Sequence, residues 1–215
     1  MHKTLEVILR EVSQSGWATT SGTIEEVSRA ASLSGLRSAI LSGGKHHRVL
    51  VPHTTTEAPP RSLSAVYGLE AQPLHTDGAH LPEPPDLVIL HSDSVSATPT
   101  VVWCWKGRRA PWIPGHVDQG VFTVRGSRGS YLASARDVGR LRFDPVCMSP
   151  GDPQAKLTVK FFADERQRAH VHEWNEPNTL LFIDNRQSLH ARNAVVEDPS
   201  TRAISRLTYN MALTS

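Results

Sequence analysis

His75 and Asp77, separated by one residue, are the side chains of this chain best suited to bind a metal ion. If residues 75–77 form a strand, both side chains point to the same face, because side chains alternate along a strand. His190, which follows the apolar run at 179–183, is positioned to supply a third ligand. Two imidazoles and one carboxylate on one side of an ion leave the opposite positions open, as in the facial triad of non-heme Fe(II) sites.

A second pattern lies downstream of His190. The apolar run at 179–183 predicts a buried strand before His190, and the run at 203–212 predicts another strand after it. Arg202, Ile204 and Arg206 fall on one side of that second strand if no bulge intervenes. An arginine fork binds a carboxylate through paired hydrogen bonds, so a buried arginine here predicts a carboxylate-bearing ligand. The simpler interpretation of an isolated His-x-Asp motif is a hydrogen-bonded turn, because short motifs produce many false positives.

The size and charge of the chain exclude several classes of protein. Its 215 residues predict one domain, and 23 basic against 21 acidic residues give a formal charge of +2, too small to indicate nucleic-acid binding by itself. Cys104 and Cys147 make no disulfide framework. The start of the chain lacks a signal-peptide core, and no run approaches the ~20 apolar residues of a membrane span. We therefore expect a soluble, cytoplasmic protein without a membrane partner.

The secondary-structure pattern changes along the chain from helical to β-rich. Residues 4–13 have the apolar spacing of an amphipathic helix, and Thr23-Ile24-Glu25-Glu26 predicts a capping box at the start of another. Short β-rich runs separated by Pro, Gly, Asp and Ser follow at 48–51, 63–67, 86–91, 99–105, 120–124, 157–162, 179–183 and 203–212. The predicted fold class is mainly β with flanking helices, a sandwich or jelly roll.

We divide the predicted domain into an N-terminal helical part at 1–45 and a β core at 46–215. Within the core, the stretch at about 106–156 is rich in Gly, Pro and Arg and predicts long loops with one or two strands. Such a loop-rich insert is as often ordinary surface as it is a lid over a functional site.

Further segments occur in an order that resembles a known family. They are Leu74-His75-Thr76-Asp77-Gly78, the Pro84-Pro85 pair, the strand from Asp86 to His91, Pro99-Thr100-Val101-Val102-Trp103, Ile183-Asp184-Asn185, Leu189-His190-Ala191-Arg192, and Arg202 with Arg206. Together they are similar to the taurine dioxygenase and clavaminate synthase-like family of Fe(II)- and 2-oxoglutarate-dependent oxygenases. The resemblance covers roughly residues 63–106 and 174–212.

This resemblance implies a double-stranded β-helix, a cupin-like jelly roll, as the core of a single oxygenase domain at 1–215. It implies Fe(II) held by His75, Asp77 and His190. In the halogenating relatives the carboxylate ligand is replaced by a small residue. Because Asp77 is present, the resemblance favours hydroxylation, or a related desaturation or ring closure, over halogenation.

The resemblance also implies 2-oxoglutarate as co-substrate and O2 as oxidant. Thr100 and Arg202 would hold the distal carboxylate of 2-oxoglutarate, and Arg206 would contact the substrate or the co-substrate. The alternative for Arg206 is a salt-bridged strand residue. The implied reaction is hydroxylation of an unactivated C–H bond with release of succinate and CO2.

The chain departs from the family between Thr100 and His190, where the part that usually contributes to the substrate lid looks reduced. A small lid is compatible with several classes of substrate. These are a small molecule such as an amino acid, a peptide or a natural-product intermediate, and a carrier-bound group. Candidate substrate-binding residues are Gln72, Arg142 and Asp144. Arg142 and Asp144 suit the carboxylate and amine of an amino acid. The simpler interpretation is an internal ion pair for these two and a strand-end hydrogen bond for Gln72.

Other functions stay open. A jelly-roll metalloenzyme of a non-oxidative type, using Zn or Mn, would not need Arg202 to face the metal cavity. A catalytically silent ligand-binding relative would not need the intact set of three metal ligands. Nucleic acid is not an expected partner, because no aromatic platform accompanies the basic insert. The sequence makes no prediction of oligomeric state.

Overall fold

The computed structural model describes residues 1–41, 46–106, 112–126 and 129–211. Residues 107–111 and 127–128 of the predicted insert, and residue 212 of the last predicted strand, lie outside these ranges. The helices are α1 (Leu5–Ser15), α2 (Ile24–Leu33), α3 (Leu63–Tyr67), α4 (His116–Gln119) and α5 (Pro153–Glu165), with short 3-10 turns at Arg166–Arg168 and Pro199–Thr201. Within the described ranges, no helix has the length and apolar character needed to cross a bilayer.

Antiparallel strands make up most of the remaining structure. They are β1 (Trp17–Ser21), β2 (Arg37–Ser38), β3 (His47–Leu50), β4 (Leu87–Ser92), β5 (Ser96–Cys104), β6 (Phe122–Gly126), β7 (Gly129–Ala133), β8 (Arg136–Asp137), β9 (Arg140–Leu141), β10 (Met148–Pro150), β11 (His170–Trp174), β12 (Thr179–Asp184), β13 (Ser188–Arg192) and β14 (Ile204–Asn210).

Two sheets face each other and form the jelly roll. The major sheet has the order β1-β12-β4-β14-β2, and β3 pairs with the first half of β14. The minor sheet has the order β11-β5-β13. All of these pairings are antiparallel. The chain crosses between the two layers from β4 to β5, from β11 to β12, from β12 to β13 and from β13 to β14. The predicted β-rich jelly roll with flanking helices is confirmed.

Strand β12 shows how the sequence pattern builds the layers. Leu180 and Phe182 are fully buried against the helical layer formed by α1 and α2. Leu181 and Ile183 alternate with them and pack in a second cluster with Val102 of the minor sheet. Because both faces are covered, the strand is a continuous apolar run. The metal-site residues lie at one end of this interior between the sheets.

Two of the predicted β-rich runs are wrong, because both are helical. The run at 157–162 lies within α5, where the Asp152 side chain caps the helix by accepting from the Ala155 N–H at 2.7 Å. The run at 63–67 is α3, which begins after the N-cap Ser62. β-branched and aromatic residues gave both runs a strand-like composition, and short apolar runs do not distinguish the two structures by period alone.

The N-terminal part and the insert both contain more structure than their predicted description. β1 lies between α1 and α2 and pairs along its length with β12, so the N-terminal segment completes an edge of the major sheet. The stretch at 106–156 contains a three-stranded sheet, β10-β6-β7, and a short β8–β9 pair. Its Phe143 and Met148 pack in a third core cluster with Trp103 of the minor sheet.

Candidate metal centre

His75, Asp77 and His190 come together although 115 residues separate the two histidines. One ligand atom from each lies within 4.8 Å of the others, which is close enough for all three to bind a single ion. All three residues are buried. Within the described ranges this is the group of histidine, cysteine and acidic side chains that has metal-binding geometry.

The two histidines are held by a direct backbone pairing. The His75 N–H donates to the His190 carbonyl at 3.0 Å, and the His190 N–H donates to the His75 carbonyl at the same distance. This bridge is isolated rather than part of a continuous strand, and Asp77 lies in the turn that follows. Residues 75–77 therefore do not form the regular strand that would place both side chains on one face by alternation. Even so, the turn brings the Asp77 carboxylate to the same side as His75.

Thr76, between His75 and Asp77, anchors the loop of the metal ligands. Its N–H donates to the Phe143 carbonyl at 2.7 Å, and its hydroxyl oxygen accepts from the Phe143 N–H at 3.1 Å. Gly78 ends the ligand segment with φ +74°, and a Cβ there would lie 2.9 Å from a Leu41 methyl. Glycine is therefore required immediately after Asp77.

Asn185 fixes the backbone of Asp77 from the other side. Its Oδ1 accepts from the Asp77 N–H at 3.1 Å, and its Nδ2 donates to the Asp77 carbonyl at 3.0 Å and to the Pro85 carbonyl at 2.8 Å. Asn185 is 1% exposed. The sequence analysis gave this residue no role beyond the family motif. Its position directly after β12, the strand that leads to His190, was the available signal.

The two oxygens of Asp77 have different surroundings. Oδ1 accepts a 2.7 Å hydrogen bond from Arg206, whereas Oδ2 is buried and has no hydrogen-bond partner among the described residues. Burial alone would raise the pKa of Asp77, but Arg206, His190 and His75 together hold that pKa below its ordinary value. Asp77 is therefore an ionised carboxylate with one oxygen left for a cation.

Both imidazoles are suited to donate a lone pair to a metal. His75 Nδ1 lies 3.1 Å from the Pro73 carbonyl oxygen, which only accepts, so Nδ1 carries the proton and Nε2 is left as the ligand atom. Burial, followed by the charge of His75, lowers the pKa of His190 to about 3. His190 is therefore neutral, and its 3.8 Å approach to Asp77 Oδ2 is a contact between two ligand atoms rather than a salt bridge. These donors fit a divalent cation such as Fe(II).

The cluster opens into a cavity of about 610 Å³ between the sheets. Of the nine predicted site residues, eight line this cavity: Gln72, His75, Asp77, Thr100, Asp144, His190, Arg202 and Arg206. The sequence therefore identified side chains that lie far apart along the chain but share one space.

Arg202 places a cation in the cavity wall. It is 5% exposed, and its Nε lies 3.9 Å from Glu197 Oε1, which is beyond hydrogen-bond distance. That Nε has no hydrogen-bond partner among the described residues. Burial and the nearby Arg192 lower the pKa of Arg202 to about 10, so the guanidinium is still charged near neutral pH. Glu197 is therefore within ion-pair distance but makes no hydrogen bond to Nε, and a buried cation paired this weakly favours a further anionic ligand.

Thr100 lies in the same cavity on the central strand of the minor sheet. It is 3% exposed and is aligned with Arg192 of β13 on one side and His172 of β11 on the other. Its hydroxyl oxygen accepts a hydrogen bond from the indole N–H of Trp174 at 3.1 Å. Thr100 is among the residues that line the cavity.

The three predicted substrate-binding residues differ in position. The Gln72 backbone is held through its N–H, which donates to Arg192, and its carbonyl, which accepts from Arg166. Asp144 lines the cavity, and its Oδ1 accepts from the Val146 N–H at 2.8 Å.

Arg142 is not part of the described cavity lining. Its guanidinium donates to the carbonyls of Ala79, Leu81 and Pro82 and to the Tyr131 hydroxyl. These contacts hold the segment that follows the ligand turn. The sequence predicted that Arg142 pairs either with a substrate carboxylate or with Asp144. Its partners are instead backbone carbonyls and the Tyr131 hydroxyl.

The cavity lining also contains residues that were not predicted from the sequence to bind a ligand. They include Arg48, Arg61, Arg125 and Cys147. Burial and the neighbouring Asp144 raise the pKa of the Cys147 thiol to about 12, so this cysteine is an uncharged wall residue. No local motif marks these positions, because strands and turns from separate parts of the chain bring them together.

No family model and no curated protein matches the sequence. Solved structures do match. Asparagine oxygenase in complex with Fe(II), 2S,3S-3-hydroxyasparagine and succinate gives a TM-score of 0.70 at 18% identity, over 96% of this chain and 77% of that one. Non-heme iron oxygenase OrfP in complex with Fe, succinate and (3S)-hydroxy-L-Arg gives 0.68 at 14% identity, over 96% and 80%.

The PvcB protein from Pseudomonas aeruginosa also matches, with a TM-score of 0.65 at 15% identity over 96% of this chain and 80% of that one. Another structure of PvcB describes it as an Fe, alpha-ketoglutarate dependent oxygenase from an isonitrile synthetic pathway. At these identities the likeness establishes the fold. This chain therefore has the jelly-roll fold found in these oxygenases, over nearly its whole length.

Proposed function

We propose that this protein is an Fe(II)- and 2-oxoglutarate-dependent dioxygenase that hydroxylates an unactivated C–H bond of a small molecule and releases succinate and CO2. The observation that carries the proposal is a shared cavity. Two imidazoles and an ionised carboxylate converge at one place, and a buried arginine whose Nε has no hydrogen-bond partner among the described residues lines the same space. The asparagine oxygenase and OrfP structures, which contain iron, succinate and hydroxylated amino acids, support it.

Each residue has a role that follows from its surroundings. His75, Asp77 and His190 would hold Fe(II), and when bound the iron with 2-oxoglutarate supplies the oxidising chemistry. Thr100 and Arg202 would bind the distal carboxylate of 2-oxoglutarate. The Arg202 guanidinium would form a charge-assisted hydrogen bond with this anion inside a buried site.

Arg206 has a role different from direct co-substrate binding. Its 2.7 Å bond to Oδ1 keeps Asp77 ionised and leaves Oδ2 as the metal-facing oxygen. Of the alternatives considered for Arg206, the salt-bridged strand residue agrees with this geometry. The bond makes Arg206 a support for the metal ligand, as expected of side chains that orient such ligands.

Arg202 also separates the proposal from the non-oxidative alternative. A Zn or Mn isomerase or hydrolase on this fold has no need for a buried guanidinium in the metal cavity. A dicarboxylate co-substrate has that need, because its second carboxylate must be neutralised away from water. Membership of the taurine dioxygenase and clavaminate synthase-like family is part of the proposal, supported by the motif order around the ligands.

The substrate we propose is amino-acid-like, with both a cationic and an anionic group. Asp144 is the one carboxylate besides Asp77 in the described cavity lining, and it suits an ammonium group. It follows directly after Phe143, which is hydrogen-bonded to Thr76 between two of the metal ligands. Arg61 and Arg125 line the same cavity and suit a carboxylate. A screen of amino acids and short peptides for succinate release tests this assignment, and Asp144→Asn should weaken turnover of amine-bearing substrates.

A spectroscopic titration tests the function itself. Anaerobic addition of Fe(II) and 2-oxoglutarate to the wild-type protein should produce a visible charge-transfer band, and His190→Ala should abolish it. His91→Ala is the matched control, because His91 is also buried but lies outside the described cavity lining. Absence of the band in the wild type, together with absence of succinate formation, would contradict the proposal and favour a silent or non-oxidative protein.

A further inference from the structure

Trp174 makes a contact that links the hydrophobic interior to the proposed co-substrate site. Its indole N–H donates to Thr100 Oγ1 at 3.1 Å, and its ring is fully buried. The register between β11 and β5 shifts close to this contact, because His172 pairs with Thr100 whereas Trp174 pairs with Ser96. The Trp174 side chain therefore reaches back along β5 to Thr100.

The hydrogen-bonding groups of Trp174 and Thr100 determine which of the two donates in this contact. An indole N–H only donates, and a threonine hydroxyl has one hydrogen to donate and two lone pairs to accept with. Once Trp174 occupies a lone pair of Oγ1, the hydroxyl hydrogen cannot point along that bond. It is left to donate elsewhere, and the described cavity adjoins Thr100.

We propose that Trp174 is a positioning residue that fixes the Thr100 hydroxyl as a donor into the cavity, where it donates to the distal carboxylate of a 2-oxo dicarboxylic acid. This inference rests on the proposed function and deepens it. Arg202 supplies charge to the same carboxylate, while the Trp174–Thr100 pair supplies a directed, neutral hydrogen bond. Without the indole N–H, the hydroxyl is free to rotate toward backbone acceptors, and the site loses this preorganisation.

The test compares two co-substrate probes on the Fe(II)-loaded protein, by anaerobic isothermal titration calorimetry. 2-Oxoglutarate has both the chelating end and the distal carboxylate, whereas 2-oxobutyrate has only the chelating end. Trp174→Phe should weaken 2-oxoglutarate binding by about 3- to 10-fold, and Thr100→Val by about 10- to 100-fold. Neither variant should change the affinity for 2-oxobutyrate. The double variant should match Thr100→Val alone, because Trp174 acts through Thr100.

Trp103→Phe is the matched control. Trp103 is also buried, and its indole N–H donates to Glu165 at 2.8 Å in the cluster on the other side of the minor sheet. Its loss should leave 2-oxoglutarate binding unchanged. If Trp174→Phe fails to fold, benzothienylalanine at position 174 keeps the ring size and removes only the N–H.

The outcomes separate this inference from the proposed function. Wild-type protein that binds neither probe would contradict the function. Wild-type protein that binds 2-oxoglutarate with the same affinity as Trp174→Phe, or a variant that loses both probes equally, would overturn the role of Trp174 alone. Losses that add in the double variant would also overturn it.

Discussion

Asn185 and the backbone of Asp77 are hydrogen-bonded in both directions across 108 residues of sequence, at 3.1 Å and 3.0 Å. The amide side chain thus satisfies the backbone N–H and C=O of one buried residue, much as a neighbouring strand would. Because Asp77 lies in a turn rather than a strand, no ladder holds it. The precision of the carboxylate position therefore depends on this one side chain and on Arg206.

Asn185→Ala should reduce the affinity for a divalent metal by about 10- to 100-fold, the usual effect of losing a residue that orients a ligand. Mn(II) is a suitable probe because it resists oxidation, and calorimetry measures its affinity directly. The variant should also lose about 1–3 kcal/mol of unfolding free energy, because three backbone groups, the Asp77 N–H and the Asp77 and Pro85 carbonyls, lose this partner. Asn210→Ala, at the end of β14 and outside the described cavity lining, is the control. Unchanged Mn(II) affinity in Asn185→Ala would contradict this role.

Arg206→Gln should make metal binding more sensitive to acid. Arg206 is the largest of the influences that lower the pKa of Asp77, so its loss raises that pKa. Protons then compete with the metal at a higher pH, because a ligand carboxylate must be ionised. Mn(II) affinity measured from about pH 5 to about pH 8 should show the variant weakest, relative to wild type, at the acid end. Arg140→Gln, which removes a surface pair with Asp86, should leave the profile unchanged.

His172 should make the folded protein less stable as the pH falls. Burial, followed by the charge of His170, lowers the pKa of His172 to about 4. The folded state keeps this ring neutral, while the unfolded chain takes up a proton below about pH 6.5. Unfolding free energy should therefore fall between about pH 6.5 and about pH 4, by up to about 1.4 kcal/mol per pH unit from this group. His172→Phe should reduce that slope in urea titrations, whereas an equal slope in both proteins would count against the assignment.

The strands were predictable where both faces of the sheet are covered. The run at 179–183 is apolar without interruption because helices pack on one side and the minor sheet on the other. The helices α3 and α5 were not predictable from composition, because Val, Tyr and Phe in them resemble strand residues. Their capping residues Ser62 and Asp152 were the signals that identify them.

The candidate site was predictable as far as its chemistry is local. His75 with Asp77, and His190 after its strand, carry a recognisable spacing. Asn185 and Trp174 were not assigned, because each acts through hydrogen bonds to partners more than 70 residues away. The position of Asn185 directly after β12 was a signal for its amide, whereas nothing in the neighbouring sequence distinguishes the Trp174 indole from an ordinary core residue. Arg142 was assigned to substrate binding because it lies two residues before Asp144 in the sequence. In the structure, its guanidinium donates to backbone carbonyls.

Crystals grown anaerobically with Fe(II) and 2-oxoglutarate would show whether His75, Asp77 and His190 bind one iron ion beside 2-oxoglutarate. Anomalous diffraction at the iron edge should give one peak within bonding distance of His75 Nε2, Asp77 Oδ2 and His190 Nε2. The distal carboxylate of 2-oxoglutarate should lie against Arg202 and Thr100. An iron peak away from these three side chains, or a protein that binds 2-oxoglutarate elsewhere, would contradict the account.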